Sequence, residues 1–256
     1  MTRMQVSELW RYPIKSLHGE PLAHAALGAD GVQGDRLIHV RGNRGLLTGR
    51  TRSQLLRLRA TTGPDGRPYV ESHPWDSTQA ADLIRAAAGP DARLHHHPGP
   101  ERFDVLPLLI ATDAEINRLG HDRRRLRPNL VIAGTRATEE RSWQGRALHI
   151  GDAVIGVHSL RPRCIVTTID PDTGAQDLDV LRSINRRFDG MITLNCWVIT
   201  PATVHIGDKV DVVDDAPAQP PPHIGGWVTG APYQVARSSR EDRAPRRQQP
   251  DLSSTA

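Results

Sequence analysis

Cysteine is scarce in this chain of 256 residues: Cys164 and Cys196 are its two thiols. Two cysteines exclude a four-cysteine zinc site and an iron–sulfur cluster held by four thiolates. Aromatic residues make up only 4%. Proteins that grip single-stranded nucleic acid interleave stacking rings with cations, so scattered arginine without rings argues against that partner. The net charge of +4 points instead to small anionic molecules. No run of eighteen apolar residues occurs, so no membrane-spanning helix is expected. Met1-Thr2-Arg3-Met4-Gln5-Val6-Ser7-Glu8 leads into no apolar segment of the kind an export signal needs. The expectation is a cytoplasmic protein with both thiols free, although a disulfide between them stays open at this level.

Lysine is scarcer still in proportion, with Lys15 and Lys209 against 31 arginines. Lys15 lies in the Pro-stiffened segment Tyr12-Pro13-Ile14-Lys15-Ser16. An ammonium is a compact point charge where a guanidinium is a planar fork, so a lysine kept in an arginine-biased chain is a ligand candidate. Drift within that bias is the competing reading.

Short apolar stretches dominate the first ninety residues. Val6 to Arg11, Leu37 to Val40, Leu46-Leu47-Thr48 and Leu55 to Ala60 read as strands, and Gly63-Pro64-Asp65-Gly66-Arg67-Pro68 reads as a hairpin turn. Asp76 to Ala88 has a helical period and stops at Gly89-Pro90. His95-His96-His97 is read as a solvated loop, because consecutive histidines on extended backbone point to alternate sides and do not converge on one ion. Thr112-Asp113-Ala114-Glu115 has the form of a capping box opening a helix. Two similar corners, Leu148-His149-Ile150-Gly151-Asp152 and Val204-His205-Ile206-Gly207-Asp208, are expected to close a barrel. The fold class is mainly β with some α: a β-barrel domain over 1–95, a second over 96–214, and a disordered, low-complexity tail over 215–256.

Six elements appear in one order: Tyr12-Pro13-Ile14-Lys15-Ser16, Gly31-Val32-Gln33-Gly34-Asp35-Arg36, Arg127-Pro128-Asn129, Glu140-Arg141-Ser142-Trp143, Arg163-Cys164 through Gly174, and Ile206-Gly207-Asp208. Together they resemble the MOSC-domain proteins that carry an N-terminal MOSC β-barrel domain, including the amidoxime-reducing molybdenum proteins. The resemblance implies two packed β-rich domains with a molybdenum cofactor (Mo-molybdopterin) in the cleft between them. It places Lys15, Ser16 and Arg36 on the pterin or its phosphate, and cations with short hydroxyl donors suit such a group. Thr112 and Asn129 fall where the family has further cofactor contacts; helix cap and turn residue are their alternative readings. Asn195 matches a family asparagine, although Ile192-Thr193 stands where relatives have Phe-Gly.

The resemblance also implies one protein thiolate on molybdenum, a soft-ligand preference that fits the metal. Cys164, preceded by two nearby arginines, is the candidate, and Cys196 is held in reserve. Asp170, in the polar loop after Cys164, is read either as a proton relay or as a plain turn former. The function implied is a molybdenum-cofactor oxidoreductase reducing N-hydroxylated or other N–O compounds. With no Rossmann fingerprint and too few cysteines for a ferredoxin, its electrons would come from an external flavin or iron–sulfur reductase. The alternative is a cofactor- or sulfur-carrier using Cys164 without redox turnover. No nucleic-acid or membrane partner is expected.

Overall fold

A computed structural model describes residues 3–99, 102–215 and 219–221. The expected tail beyond 215 lies almost wholly outside the described residues. The architecture is built on one eight-stranded sheet in the order Val210–Val213, Ala147–Ile150, Ala153–Pro162, Met191–Thr200, Leu108–Thr112, Leu130–Ala133, Gln5–Arg11, Glu20–Leu22. All neighbours run antiparallel except Leu108–Thr112 and Leu130–Ala133, which are parallel. The two edges curl toward each other. Val6 N–H donates to Asp208 O at 2.9 Å, Gly207 N–H to Val6 O at 2.8 Å and Val210 N–H to Met4 O at 3.0 Å. The second Ile-Gly-Asp corner therefore brings the last strand onto the first and closes a barrel, which removes the exposed sheet edge.

Side chains pointing into this barrel form the largest apolar cluster, from Val6 and Leu9 through Leu108, Ile110 and Ile132 to Ile155, Cys196 and Val210. Gly156 marks where the strands crowd most. A methyl group there would run into the Trp197 indole, so the position is held by packing rather than by turn geometry.

A second core forms around Ile14, Leu17, Ile38, Val40, Leu55 and Val70 against the buried face of helix α1, Thr78–Ala88. Ala80, Ile84 and Ala88 recur every fourth residue on that face, Ser77 caps the helix through Ala80 N–H at 3.2 Å, and Gly89 ends it at φ 112°. The hairpin at Gly63–Arg67 forms as expected, joining strands Ala60–Thr62 and Pro68–Val70. Two local expectations need correcting. Leu55 does not extend a strand: Ser53–Arg57 is a 3-10 turn that buries both Leu55 and Leu56. His95 and His96 lie in an exposed strand, Arg93–His96, paired to Ile38–Gly42 rather than in a loop.

Helices α2, Asp113–Leu119, and α3, Leu178–Phe188, enclose a small third cluster of Leu119, Leu126, Val180, Ile184 and Phe188. The barrel takes two strands from before residue 95 and six from after it, so the two halves of the chain share one sheet. Among the described residues, no helix is long and apolar enough to cross a membrane.

Candidate functional site

Between the second core and the barrel lies a cleft of about 220 Å³. One wall comes from Lys15, Ser16, Arg36 and the hairpin around Thr48 to Arg50; the other comes from Leu109, Asn129 and the stretch Arg161 to Thr167. Six cations line it, namely Lys15, Arg36, Arg50, Arg127, Arg161 and Arg163, and Asp104 is the lining carboxylate among the described residues.

The Tyr12-to-Ser16 segment is fixed from behind. Ile14 and Leu17 are wholly buried, Lys15 N–H donates to Ile38 O at 2.7 Å, and Arg36 N–H donates to Tyr12 O at 2.7 Å. Asp35, buried, accepts Tyr12 N–H at 2.7 Å, receives the Arg36 guanidinium and takes Asn129 Nδ2 at 3.3 Å. Tyr12 donates its phenol to Pro128 O at 3.1 Å, and burial pushes that phenol up to about 12. Its ring stacks two guanidiniums, Arg36 at 4.8 Å and Arg127 at 4.3 Å.

Backbone conformation here is unusual. Ser16, Arg36, Arg127 and Thr193 all sit at positive φ, between 55° and 75°. Such conformations cost free energy in residues with a Cβ and persist where surrounding structure over-determines them, often at ligand sites.

Lys15 donates Nζ to Asp104 Oδ1 at 2.7 Å and to Arg102 O at 2.6 Å. Asp104 also meets Arg161 at 3.2 Å and Arg50 at 3.7 Å. Burial opposes ionisation of Asp104, but Lys15 and Arg161 outweigh it and hold the carboxyl well below the usual range. Its side chain is 38% exposed, so the carboxylate opens on the cleft. Burial pulls Lys15 and Arg161 down from their ordinary values and pulls Arg127 and Arg163 down to about 10. Arg127 Nη2 and Arg163 Nε are buried without a hydrogen-bond partner among the described residues. Buried charged donors left unpaired are expensive, and an anion entering the cleft would relieve that cost.

Cys164 is half-buried in the cleft lining and opens the 3-10 turn Ile165–Thr168, with Thr167 Oγ1 donating to its carbonyl at 2.9 Å. Arg161 and Arg163 flank it. The set of cleft cations, hydroxyl and thiol is a fit in donor chemistry for an anionic group carrying a soft metal.

Lys15, Ser16, Arg36, Asn129 and Cys164 thus converge on one cleft, though the Asn129 carboxamide is engaged with Leu109 N–H at 3.2 Å and Trp10 O at 3.3 Å. Four other sequence candidates stand elsewhere. Thr112 is buried as the cap of α2, accepting Glu115 N–H at 3.2 Å, and does not line the cleft. Asn195 is behind the wall, holding Arg161 through Oδ1 at 3.1 Å while donating to Ser159 Oγ at 3.1 Å. Asp170 does not line the cleft; it is paired with Arg125 at 2.8 Å and caps its own turn through Thr173 N–H at 2.9 Å. Cys196 is wholly buried in the barrel core opposite Leu108 and Val157, and burial pushes its thiol far up, which removes it as a reserve ligand. Sequence reading missed Asp104 and the cleft roles of Arg50, Arg127, Arg161 and Arg163. Alternation along the strand to Pro162 could have placed Arg161 and Arg163 on one face, whereas Asp104 carries no local signal.

A closed barrel joined to a smaller β-rich N-terminal unit, with a cationic, thiol-bearing cleft between them, defines a class, and the chain belongs to it: it is a MOSC-domain protein. The MOSC domain family matches residues 109–211, and the MOSC N-terminal beta barrel domain family matches residues 3–88. The chain is 41% identical over 90 residues to mitochondrial amidoxime reducing component 2 of Homo sapiens, a stretch covering 31% of this chain and 26% of that protein. It is 26% identical over 279 residues to human mitochondrial amidoxime-reducing component 1, covering 80% of this chain and 82% of that one. A molybdenum cofactor sulfurase of Bombyx mori is 31% identical over 90 residues, covering 35% of this chain and 11% of that protein.

Proposed function

We propose that the cleft holds a molybdenum cofactor and that the protein reduces N-hydroxylated or other N–O compounds. The carrying observation is the convergence of six cations and one half-buried thiol on a cleft with, among the described residues, a single lining carboxylate. Lys15, Ser16, Arg36 and Arg127 would take the phosphate and pterin oxygens, with Arg127 gaining the partner its buried Nη2 lacks. Cys164 would supply the soft thiolate ligand, favoured as the anion by Arg161 and Arg163 beside it. When bound, the cofactor supplies two-electron oxo-transfer chemistry. Cleavage of an N–OH bond to N–H consumes two electrons and two protons and releases water. Those electrons would come from a separate flavin or iron–sulfur reductase, because the sequence has neither a dinucleotide fingerprint nor a cysteine set for a cluster. Asp104 stays ionised among its cations and holds Lys15 and Arg161 in place rather than delivering a proton.

The likeness to a molybdenum cofactor sulfurase supports a second reading, in which Cys164 carries cofactor or sulfur without turnover. Purification from a molybdenum-competent host separates the two. Stoichiometric molybdenum with N-hydroxy reductase activity supports the enzyme; a persulfide on Cys164 without metal supports the carrier.

A further inference from the structure

Behind the cleft wall, two buried carboxylates have no part in the reading above. Glu115, on α2, and Glu140, in the 3-10 turn Glu139–Ser142, are each 1% exposed and in hydrogen-bond contact with one another. Glu115 Oε1 accepts Thr193 N–H at 3.1 Å. Glu115 Oε2 and both carboxylate oxygens of Glu140 meet no other donor among the described residues. Two carboxylates cannot lie in contact out of water with both charged, so the donor that satisfies this contact is a proton carried by one of them.

The charged groups around the pair are Arg118 on α2, Arg141 on the turn of Glu140 and Arg163 from the cleft wall. Asp113, also on α2, is turned away to Gly134 N–H at 2.9 Å and Thr135. Arg141 spends Nη2 on the carbonyls of Phe188 at 2.8 Å and Met191 at 3.1 Å. The pair reaches the cleft through one residue. Thr193, at φ 75°, accepts Arg163 Nη1 on its hydroxyl at 3.3 Å, while Arg163 Nη2 is fixed on Leu126 O at 2.7 Å.

We propose that Glu115 and Glu140 share one proton and, through Thr193, position Arg163 at the cleft wall, so that anion binding in the cleft is linked to that proton. The inference rests on the reading of the cleft as an anion site. Burial, and then the Glu140 carboxylate, push Glu115 up to about 8. Below that pH the pair carries one negative charge; above it, two. The second charge draws on Arg163 from behind and opposes an anion in front, so affinity falls as pH rises through that region. By linkage, a bound anion raises the pH at which the proton leaves. Glu115→Gln keeps the oxygen that Thr193 N–H donates to, offers Glu140 an N–H, and freezes the singly charged state.

The test is carried out on the full chain labelled with [13C]arginine, the Arg163 Cζ resonance being assigned by its loss in Arg163→Lys. Sulfate, which does not titrate in this range, serves as the probe anion in calorimetry at about pH 7 and about pH 9. In wild type the Arg163 resonance should move with a midpoint near that of the pair, and sulfate affinity should fall about five-fold more than in Glu115→Gln, the lower end of coupling between sites. Glu115→Gln and, separately, Glu140→Gln should abolish the movement. Identical Arg163 titration in wild type and in either variant that folds would overturn the proposal. Absence of sulfate binding at both pH values would overturn the anion reading and with it the linkage, and the resonance, which needs no ligand, tells that result apart from failure of the positioning.

Discussion

Two arginine patches lie on either side of a wall made by Leu56, Arg127 and Val166, and they are neutralised in opposite ways. On one side, Arg124 is gripped by Asp122 and Asp172, each at 2.6 Å, and Arg125 by Asp170 at 2.8 Å. There Arg124 and Arg125 are each paired with a carboxylate. On the other side, six cations face the cleft; three of them share Asp104, and Arg36 is held by buried Asp35. Arginine of identical chemistry is structural in the first patch and available in the second. An excess of buried positive charge is stable only if something completes it, and among the described residues Asp104 is the carboxylate that lines the cleft.

Breaking the second patch should have the larger consequences. Cys164→Ser should abolish N-hydroxy reductase activity and lower molybdenum content while circular dichroism and thermal unfolding stay unchanged, since a hydroxyl is a poor substitute for a thiolate on a soft metal. Lys15→Ala and Arg36→Ala should each lower cofactor affinity roughly ten- to a hundredfold, the worth of one charged hydrogen bond of about 1.5–3 kcal/mol. Pterin fluorescence after denaturation measures it.

The third prediction concerns stability behind the wall. Glu115 binds its proton more tightly folded, near pH 8, than at the ordinary value of 4.5. Its stabilising contribution is therefore complete below about pH 4.5 and lost as pH rises through about 8, so unfolding free energy should decline across that window by on the order of 2 kcal/mol. Glu115→Gln should flatten the decline in urea titrations at several pH values. A slope unchanged by the substitution would place the effect elsewhere. The smallest effect belongs to the first patch: Arg124→Ala should cost about 0.2–1 kcal/mol, as exposed ion pairs do, and leave cofactor content untouched.

Much of this contrast was legible in the sequence, for physical reasons. Short-range signals came through. The Thr112 cap of α2 forms, its hydroxyl accepting Glu115 N–H, although the Glu115 carboxylate turns to Thr193 N–H, and the hairpin at Gly63 to Pro68 carries its own turn chemistry. Lys15, Ser16, Arg36 and Cys164 were named from motifs, and they meet in one cleft. What failed was whatever depends on the far side of a side chain. Thr112 and Asp170 as cofactor or relay residues give way to the readings offered beside them, helix cap and turn former, the second also held by Arg125. Cys196 lies in the core, as its strand-like apolar neighbours suggest, opposite Leu108 and Val157. Asp104 stands 89 positions from Lys15, its partner at 2.7 Å, so nothing local announces it.

The central claim is that an excess of cations over carboxylates facing one cleft, not arginine content, marks the ligand site. Its most direct test is molybdenum and pterin content, measured side by side in wild type, in Lys15→Ala/Arg36→Ala and in Arg124→Ala/Arg125→Ala, each purified as the full chain from a molybdenum-competent host. The account predicts near-stoichiometric cofactor in wild type and in the Arg124/Arg125 variant, with severe depletion in the Lys15/Arg36 variant. Equal content in all three, or cofactor absent from wild type, would contradict it.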